Sequence, residues 1–237
     1  MEQIKEYLQA AAAASGITIT KEQEGRFQTY YELLAEWNQK MNLTAITDVQ
    51  GVAMKHFLDS ILLLNYLDFK EGDSLIDIGT GAGFPGLPLK IMRRDIRLTL
   101  LDSLNKRLIF LKEALSQLSL EADCIHARAE EGGRQKNLRG KFEFATARAV
   151  APLNVLAEYC LPYLKMGGTF AAMKGPGIQE ELEAAERAVS LLGCEVQELV
   201  EYRLPNGDGR SLVLIRRTGT LPAQYPRQSA KISKSPL

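Results

Sequence analysis

A glycine-rich stretch, DIGTGAGFPG at residues 77–86, limits the possible folds more than any other feature of the chain. It follows the short apolar run SLI and precedes LPLKI, which is typical of the start of a helix. Glycines between a strand and a helix permit a tight turn and a close approach of the backbone to a ligand. The helix that follows offers its N-terminal amides to the same ligand. The stretch therefore predicts a nucleotide-type site at the first strand–helix corner of a parallel sheet.

The chain from residue 74 onward alternates short apolar runs with helical stretches. The runs occupy residues 74–79, 98–102, 121–127, 142–149 and 168–175, and the helical stretches occupy 105–118, 152–164 and 179–192. Such alternation is typical of βαβ units, which form a doubly wound, mostly parallel sheet. Two further runs, 194–205 and 210–217, are joined by Asn-Gly-Asp-Gly, which favours a turn. We therefore predict an α/β fold whose seven-stranded sheet ends in an antiparallel C-terminal hairpin.

The first third of the chain shows only helical patterns. Residues 1–14, 21–38 and 49–67 are predicted helices, and Thr20 with Gln23 forms a capping-box signature. From Pro222 onward the sequence is rich in Pro, Ser and Lys and lacks apolar periodicity. We therefore predict three parts, which are an N-terminal helical cap at 1–70, a Rossmann-like domain at 71–220 and a basic tail at 221–237.

Composition excludes several classes of protein. Apolar residues make up 46% of the 237 and charged residues 24%, which permits an ordinary core without metal or disulfide staples. The three cysteines are far apart and form no Cys-x-x-Cys, so we expect free thiols and no metal site. Neither a signal peptide nor a membrane span is evident, so we expect a cytoplasmic protein without a membrane partner. The net charge is zero, but cations cluster at 90–148 and after 216, which permits a polyanionic partner.

Three features favour S-adenosylmethionine over a dinucleotide at the glycine-rich stretch. First, Asp77 precedes the glycines, and a carboxylate there suits a sulfonium with an ammonium tail better than a pyrophosphate. Second, the Tyr-x-x-x-Lys of Tyr66 and Lys70 lies upstream of the sheet, where a dehydrogenase would not place it. Third, an antiparallel last strand marks the class I methyltransferase sheet. In either case Asp102, about 20 residues on, would bind ribose hydroxyls. A P-loop is excluded because no Gly-Lys-Ser/Thr follows.

Seven stretches of the chain then resemble a single family. They are WNQKMNLTAIT (37–47), KHFLDS (55–60), LIDIGTGAGFPGLPLKI (75–91), LLDSLNKR (100–107), ARAEE (127–131), ARAVAPL (147–153) and MKG (173–175). Their order and content resemble the RsmG family, also called glucose-inhibited division protein B. The resemblance implies a bacterial enzyme with the class I fold that methylates N7 of a guanine in 16S ribosomal RNA, with S-adenosylmethionine as donor. The family's target is guanine 527 of the 530 loop. The partner would be 16S ribosomal RNA or the small ribosomal subunit, and we expect a monomer.

The resemblance and the predicted strand ends together suggest the cofactor side of the site. The predicted cofactor-binding residues are Gly79, Thr80, Gly81, Gly83, Phe84, Asp102, Ser103, Ala129, Glu130 and Arg148. The first five should form the floor under the methionine part, and the next two should bind the ribose. Ala129 and Glu130 follow the third strand and should border the adenine. Arg148 ends the fourth strand at the ligand-binding edge, where it would hold the methionine carboxylate or an RNA phosphate.

The acceptor side offers candidates and no certain catalytic residue. Guanine N7 carries a lone pair and no proton, so the reaction needs alignment more than a general base. The candidates at the guanine entrance are Asn42, His56 and Lys174, with Asp59 beside them. A lone histidine on an amphipathic helix more often has a structural role.

RNA contacts beyond the target base are predicted from residue type alone. Phe84 and Tyr163 are candidate platforms on which a splayed base would stack. Candidate contacts to the RNA backbone are the tail cations and Lys136, Arg139, Lys141, Arg210, Arg216 and Arg217.

Three other interpretations stay open from the sequence. The chain would also be compatible with a methyltransferase that acts on a small molecule or a protein. A cofactor-binding regulator without catalysis is the second, and a dinucleotide oxidoreductase is the third.

Overall fold

The structure is a computed structural model, and it describes residues 4–237. The helices are α1 (Ile4–Ala14), α2 (Lys21–Met41), α3 (Val49–Gly51), α4 (Asp59–Ile61), α5 (Gly86–Met92), α6 (Asn105–Gln117), α7 (Ala129–Gly132), α8 (Leu153–Cys160), α9 (Gln179–Leu191) and α10 (Ser229–Lys234). The strands are β1 (Ser74–Ile78), β2 (Arg97–Asp102), β3 (Asp123–His126), β4 (Phe142–Arg148), β5 (Leu164–Lys174), β6 (Cys194–Arg203) and β7 (Gly209–Arg217). Residues 1–3 of the predicted first helix lie outside the described residues. No helix within 4–237 is both long and apolar enough to cross a bilayer.

The seven strands form one sheet in the order β3-β2-β1-β4-β5-β7-β6. Strands β1 to β5 pair in parallel, whereas β7 runs antiparallel to both β5 and β6. The predicted α/β fold and its antiparallel C-terminal hairpin are thereby confirmed. Because β1 to β5 run in parallel, their carboxyl ends meet at one edge, where ligands bind in open sheets of this kind.

Apolar clusters cover both faces of the sheet. Each strand contributes to both clusters, because successive side chains of a strand point in opposite directions. In β1, Leu75 packs with the N-terminal helices, α5 and α6, whereas Ile76 and Ile78 pack on the side of α8 and α9. The buried apolar residues on the first face form one continuous cluster, which includes Ile4 of α1 and Leu214 of β7. The N-terminal helices are thus packed directly on the sheet.

Helix α2 begins as predicted and is held by its apolar face. The Thr20 hydroxyl accepts a hydrogen bond from the Gln23 amide (3.3 Å), and the Gln23 side chain accepts from the Thr20 amide (2.8 Å). Phe27, Tyr30 and Leu34 are buried, as their spacing predicts. These three side chains join α2 to the apolar cluster on the first face of the sheet.

The predicted third helix is helical but irregular. Between α3 and α4 the residues Val52–Leu58 form a π-helical segment, and after α4 the residues Leu62–Asn65 form a 3₁₀ turn. A π turn widens the helix and changes which side chains share a face, and such segments are frequent at functional sites. Here Phe57 and Leu58 are buried while Lys55 and His56 border a cavity.

The C-terminal segment departs from the predicted tail because it is docked on the domain. Helix α10 lies against α8, and its Ile232 is fully buried. The Arg227 guanidinium donates to both carboxylate oxygens of Glu158, and Arg139 donates to the carbonyl of Tyr225 at 2.6 Å. The apolar anchors, which include Leu221 and Ile232, are widely spaced, and the polar contacts are to distant residues, so the segment has no periodic signal in the sequence.

Candidate functional site

A cavity of about 440 Å³ lies where the parallel strands end, between the glycine-rich loop and the N-terminal helices. The loop contributes Gly79, Thr80, Gly81, Ala82 and Phe84. The N-terminal part contributes Leu43, Thr44, Ile46, Lys55, His56 and Asp59. The strand ends and α6 contribute Arg107, Arg148, Ala149, Met173, Lys174, Gly175 and Arg210. This volume is typical of a site for a small molecule or cofactor.

The amides of the glycine-rich loop are already bonded within the protein. The amides of Gly79 and Thr80 both donate to the Leu101 carbonyl, at 2.9 and 3.1 Å. The Gly81 amide donates to Oδ2 of Asp102 at 2.9 Å, and the Gly83 amide donates to the Thr80 carbonyl at 2.9 Å. A phosphate-binding loop keeps its amides free for phosphate oxygens. The loop is therefore unsuited to a pyrophosphate and suited to a ligand that needs a close, uncharged floor.

The side chain of Asp77, predicted to face a sulfonium and an ammonium group, does not line the cavity. Its side chain is fully buried, and Oδ2 accepts from the Thr80 hydroxyl at 2.7 Å and from the Gly86 amide at 2.9 Å. Burial raises the pKa of this carboxyl to about 6, although its hydrogen-bond donors oppose the rise. Asp77 therefore ties the two ends of the loop together.

The glycines of the loop face different surroundings. All three of Gly79, Gly81 and Gly83 have positive φ, between 62° and 99°. A β-carbon on Gly83 would lie 2.6 Å from the Tyr30 hydroxyl oxygen, so Gly83 packs against α2. Gly83 was predicted to form part of the cofactor floor, but it does not line the cavity. A β-carbon on Gly81 would meet only the Gly79 carbonyl oxygen, at 3.9 Å, within 4 Å. Gly81 therefore leaves open space on the cavity wall.

The carboxylate of Asp102 sits at the end of β2 with three partners. It accepts from the amides of Gly81 (2.9 Å) and Leu104 (2.8 Å) and from the Arg107 guanidinium (3.2 Å). Its side chain is 1% exposed, whereas that of Arg107 is 35% exposed. The ion pair therefore joins a buried carboxylate to a partly exposed guanidinium that lines the cavity.

Arg148 connects the sheet to the N-terminal helices. Its guanidinium donates to the Lys55 carbonyl (3.0 Å), to Oδ2 of Asp59 (3.4 Å) and to Nδ1 of His56 (3.2 Å). Its terminal carbon also lies 5.0 Å from the centre of the Phe84 ring, as a cation–π contact requires. The second oxygen of Asp59 accepts from Arg210 at 3.2 Å, so this buried carboxylate carries two guanidinium partners.

His56 is a neutral imidazole at the cavity wall. Burial, followed by the charge of Arg148, lowers the pKa of the ring to about 3. The ring stacks on Phe84 with a centroid distance of 4.6 Å, and Nε2 lies 2.8 Å from the Thr44 hydroxyl. A ring with so low a pKa is suited to orienting neighbours and unsuited to general-base work near pH 7.

Lys174 borders the cavity but is engaged. Its ammonium group donates to the Ala151 carbonyl at 2.7 Å and forms an ion pair with Glu181 at the start of α9. The side chain therefore braces the loop after β4 from the cavity rim.

Several predicted site residues do not line this cavity. Asn42 is exposed and ends α2 in the left-handed conformation (φ 48°). Ser103 is exposed, and its carbonyl lies 3.0 Å from Nε2 of His126. The side chain of Glu130 borders a separate polar cavity with Arg128 and Arg134, and the Ala129 carbonyl accepts from the Tyr163 hydroxyl at 2.6 Å.

The two predicted stacking platforms are wrong because both rings are buried. Phe84 is 5% exposed and packs between His56 and Tyr30, whose ring centre lies 5.4 Å away. Tyr163 is fully buried beneath α7. Neither ring has a face free for a base.

Most of the cations predicted to contact RNA lie away from the cavity, towards the opposite edge of the sheet. Because β7 runs antiparallel, Arg210 pairs near the end of β6 at the cavity while Arg217 pairs with Cys194 at the opposite edge. Arg217 and Arg139 are bonded there to carbonyls, at 2.6 Å to Leu164 and 2.6 Å to Tyr225. Lys136, Lys141 and Arg216 belong to the same region, before β4 and at the end of β7. Only Arg210 of the six numbered cations lines the cavity.

The cavity residues that were not predicted from the sequence include three with polar side chains, Thr44, Lys55 and Arg107. Thr44 lies between the predicted helices 21–38 and 49–67, and this gap was a usable signal for a chain reversal. Arg107 lies five residues after Asp102, within the first turn of the helix that follows β2. Lys55 opens the stretch KHFLDS, which contributes to the family resemblance but does not indicate that this side chain borders the cavity.

Comparisons of sequence identify relatives of the chain. The pattern of the GidB family, described as rRNA small subunit methyltransferase G, matches residues 23–210. A protein of Pelotomaculum thermopropionicum named ribosomal RNA small subunit methyltransferase G is 47% identical over 239 residues, which cover 100% of each chain. A protein of the same name from Clostridium botulinum is 45% identical over 229 residues, which cover 96% of each chain.

Solved structures share the fold at low identity. A methyltransferase from Pyrococcus furiosus superposes with a TM-score of 0.56 at 16% identity, covering 82% of this chain and 98% of that one. A geranyl diphosphate C-methyltransferase from Streptomyces coelicolor, crystallised with S-adenosyl-L-homocysteine, gives 0.54 at 13% identity, covering 68% and 79%. The sheet is thus the class I methyltransferase sheet, as the antiparallel β7 indicates. The match of the family pattern and the identity of 45–47% over nearly the whole chain show that the chain belongs to the GidB family, the rRNA small subunit methyltransferases G.

Proposed function

We propose that this protein methylates N7 of a guanine in 16S ribosomal RNA, with S-adenosylmethionine as the methyl donor. The observation that carries the proposal is the cavity between the glycine-rich loop and the N-terminal helices, in a chain of this family. The target within the RNA is proposed to be guanine 527 of the 530 loop. We further propose that the protein acts as a monomer in the cytoplasm, away from membranes.

The cavity fits the donor on chemical grounds. The open space at Gly81 gives the close approach that a methionine chain needs, and the bonded loop amides disfavour a pyrophosphate. Asp102 offers a carboxylate for the ribose hydroxyls once Arg107 has moved aside. The carbonyl of Asp102 accepts from the Ala127 amide at 3.2 Å, which places the loop after β3 beside this carboxylate. The backbone of Ala129 and Glu130 stays our proposal for the adenine side.

The chemistry requires alignment above all. S-adenosylmethionine supplies an electrophilic methyl group, and guanine N7 supplies a lone pair that needs no deprotonation. The residues of the chain would hold the base and exclude water, and such alignment contributes up to about 7–11 kcal/mol to rate enhancement in favourable systems. The neutral ring of His56 agrees with this requirement, because it cannot serve as a strong base at pH 7.

The N-terminal residues 1–70 are proposed to act as a cap that closes the guanine side of the cavity. Thr44, Ile46 and His56 form that wall. Around the mouth stand Lys55, Arg107 and Arg210, which are proposed to bind RNA phosphates. Lys55 is free to do so, since its ion pair with Asp208 (3.0 Å) has both side chains more than one-third exposed and is correspondingly weak.

The test is transfer of tritium from labelled donor to defined acceptors. Naked 16S ribosomal RNA, purified small subunits, a metabolite extract and a ribosome-free protein fraction would be compared with the same enzyme. We expect label in the RNA and, after digestion, in 7-methylguanine. Label confined to metabolites or proteins would contradict the proposal, and tight donor binding without any transfer would indicate a regulator.

A matched pair of aspartate variants links the activity to the cavity. Asp102→Ala should abolish most of the transfer, whereas Asp123→Ala should leave it unchanged because Asp123 is exposed at the start of β3, away from the strand ends. Equal activity of the two variants would place the donor elsewhere.

A further inference from the structure

Thr44 lies in a loop, but its backbone is held by two hydrogen bonds to the side chain of Asn38. Its amide donates to Oδ1 of Asn38 at 2.8 Å, and its carbonyl accepts from Nδ2 of Asn38 at 2.9 Å. Asn38 belongs to α2, so the position of Thr44 is fixed by a helix that packs on the sheet. Thr44 lines the cavity together with residues of the glycine-rich loop.

The proton positions around His56 follow from Arg148. A guanidinium only donates hydrogen bonds, so we assign Nδ1 of His56, 3.2 Å from Nη2 of Arg148, as an acceptor. The Lys55 carbonyl, also 3.2 Å from Nδ1, accepts from Nη1 of Arg148 at 3.0 Å. With this assignment the neutral ring carries its single proton on Nε2, which then donates to the Thr44 hydroxyl at 2.8 Å.

The Thr44 hydroxyl thereby becomes an obligatory donor. The amide of Ile46 also donates to this oxygen, at 3.0 Å. A hydroxyl has two acceptor sites and one proton, and both acceptor sites are now occupied. Its proton is the one hydrogen-bonding function left, on a residue that borders the cavity.

Resting on the proposed guanine-N7 activity, we propose that the Thr44 hydroxyl donates to O6 of the target guanine and so selects guanine over adenine. Beside N7, guanine presents the acceptor O6 where adenine presents the donor N6 amino group. The Thr44 hydroxyl, as an obligatory donor, pairs with O6 of guanine, whereas in adenine it would face the N6 amino group, which is also a donor. Asn38 and His56 act as positioning residues, because they fix the location of Thr44 and the direction of its proton.

The test uses short RNA substrates that differ only at the target base. Guanine and inosine both carry O6, whereas 2-aminopurine keeps N7 and has hydrogen in place of O6. We expect wild-type kcat/KM to fall at least tenfold from guanine or inosine to 2-aminopurine. Thr44→Val should lower kcat/KM on guanine and inosine by tenfold or more and leave the value on 2-aminopurine nearly unchanged.

Two further variants serve as controls. Thr44→Ser keeps the hydroxyl and should keep the preference for O6. Thr47→Val makes the same substitution three residues on, at an exposed threonine outside this cavity, and should behave as wild type. Binding of S-adenosylhomocysteine to Thr44→Val, followed by calorimetry, should equal that of wild type. If Thr44→Val fails to fold, Thr44→Ala provides the same comparison.

The outcomes separate this inference from the function on which it rests. Equal losses on guanine and 2-aminopurine would reduce Thr44 to a structural residue and overturn the inference, as would wild-type rates on guanine in Thr44→Val. A wild-type enzyme that methylates no guanine-containing RNA would instead overturn the proposed function.

Discussion

The guanidinium of Arg107 lies 3.2 Å from Oδ2 of Asp102, so an ion pair covers the carboxylate proposed to bind ribose. The two residues contribute differently to the site. Asp102 is almost fully buried and also holds the Gly81 amide, whereas Arg107 is partly exposed and holds nothing else in the loop.

We therefore expect unequal effects of the two substitutions on donor binding. Asp102→Ala should weaken binding of S-adenosylhomocysteine about tenfold to a hundredfold, since hydrogen bonds to a charged group contribute about 1.5–3 kcal/mol. Arg107→Gln should bind at least as tightly as wild type, because it removes the competing cation. Isothermal titration calorimetry measures both, and a larger loss for Arg107→Gln would refute the assignment.

Gly81 and Gly83 should respond differently to the same methyl group. Gly83→Ala places a β-carbon 2.6 Å from the Tyr30 hydroxyl and 2.8 Å from Leu111. Overpacking of this kind costs about 1–3 kcal/mol of stability, and the strain of a positive φ adds to that cost, so the free energy of unfolding should fall by several kcal/mol. Gly81→Ala meets no such clash and should lose only about 1–2 kcal/mol. Its methyl group should nevertheless weaken donor binding strongly.

Urea unfolding and calorimetry of the two glycine variants check this prediction. A Gly81→Ala protein that binds the donor with wild-type affinity would show that the cavity wall at Gly81 is not the donor floor.

The partly buried imidazole of His56 should make the protein sensitive to acid. Its pKa is about 3 in the folded protein against about 6.5 when unfolded, so below pH 6.5 only the unfolded chain takes up the proton. Stability is then lost as the pH falls from 6.5 towards 3, by up to about 1.4 kcal/mol per pH unit. His56→Gln should lack this contribution.

The measurement is the free energy of unfolding at pH 7, 6 and 5. The difference between wild type and His56→Gln should shift in favour of the variant as the pH falls, and a constant difference would contradict the low pKa.

Asp77 should produce the opposite trend. Burial holds its pKa at about 6, above the value near 3.9 of an unfolded chain, so between these values the folded protein retains a proton that the unfolded chain releases. Lowering the pH from 6 to 4 should therefore stabilise wild type relative to Asp77→Asn. The same unfolding series measures this, and a shift in the other direction would show that Asp77 is ionised throughout.

The ion pair of Arg227 with Glu158 should matter for the whole fold. Glu158 is fully buried, so Arg227→Met would leave an unpaired charge inside the protein and cost about 3–5 kcal/mol of stability. The double variant with Glu158→Gln should recover much of that loss. An unchanged urea midpoint for Arg227→Met would show that the C-terminal segment is not part of the cooperative unit.

Local rules in the sequence determined the class of fold and the place of the cavity. The alternation of runs predicts the strands and helices, the capping box predicts the start of α2, and the glycines predict the turn after β1. These features were predictable because each depends on residues close in sequence, through side-chain periodicity, cap hydrogen bonds and positive φ at glycine.

The identity of the groups that face the cavity was decided only by the tertiary structure. Asp77 turns inward to bind Thr80 and Gly86, the antiparallel direction of β7 brings Arg210 to the cavity and takes Arg217 away, and Asn38 with His56 orients Thr44. Arg227 meets Glu158 across 69 positions of sequence. No local pattern encodes such pairs, because each forms only when the packing of the sheet and helices brings distant residues within hydrogen-bond range and removes water from between them.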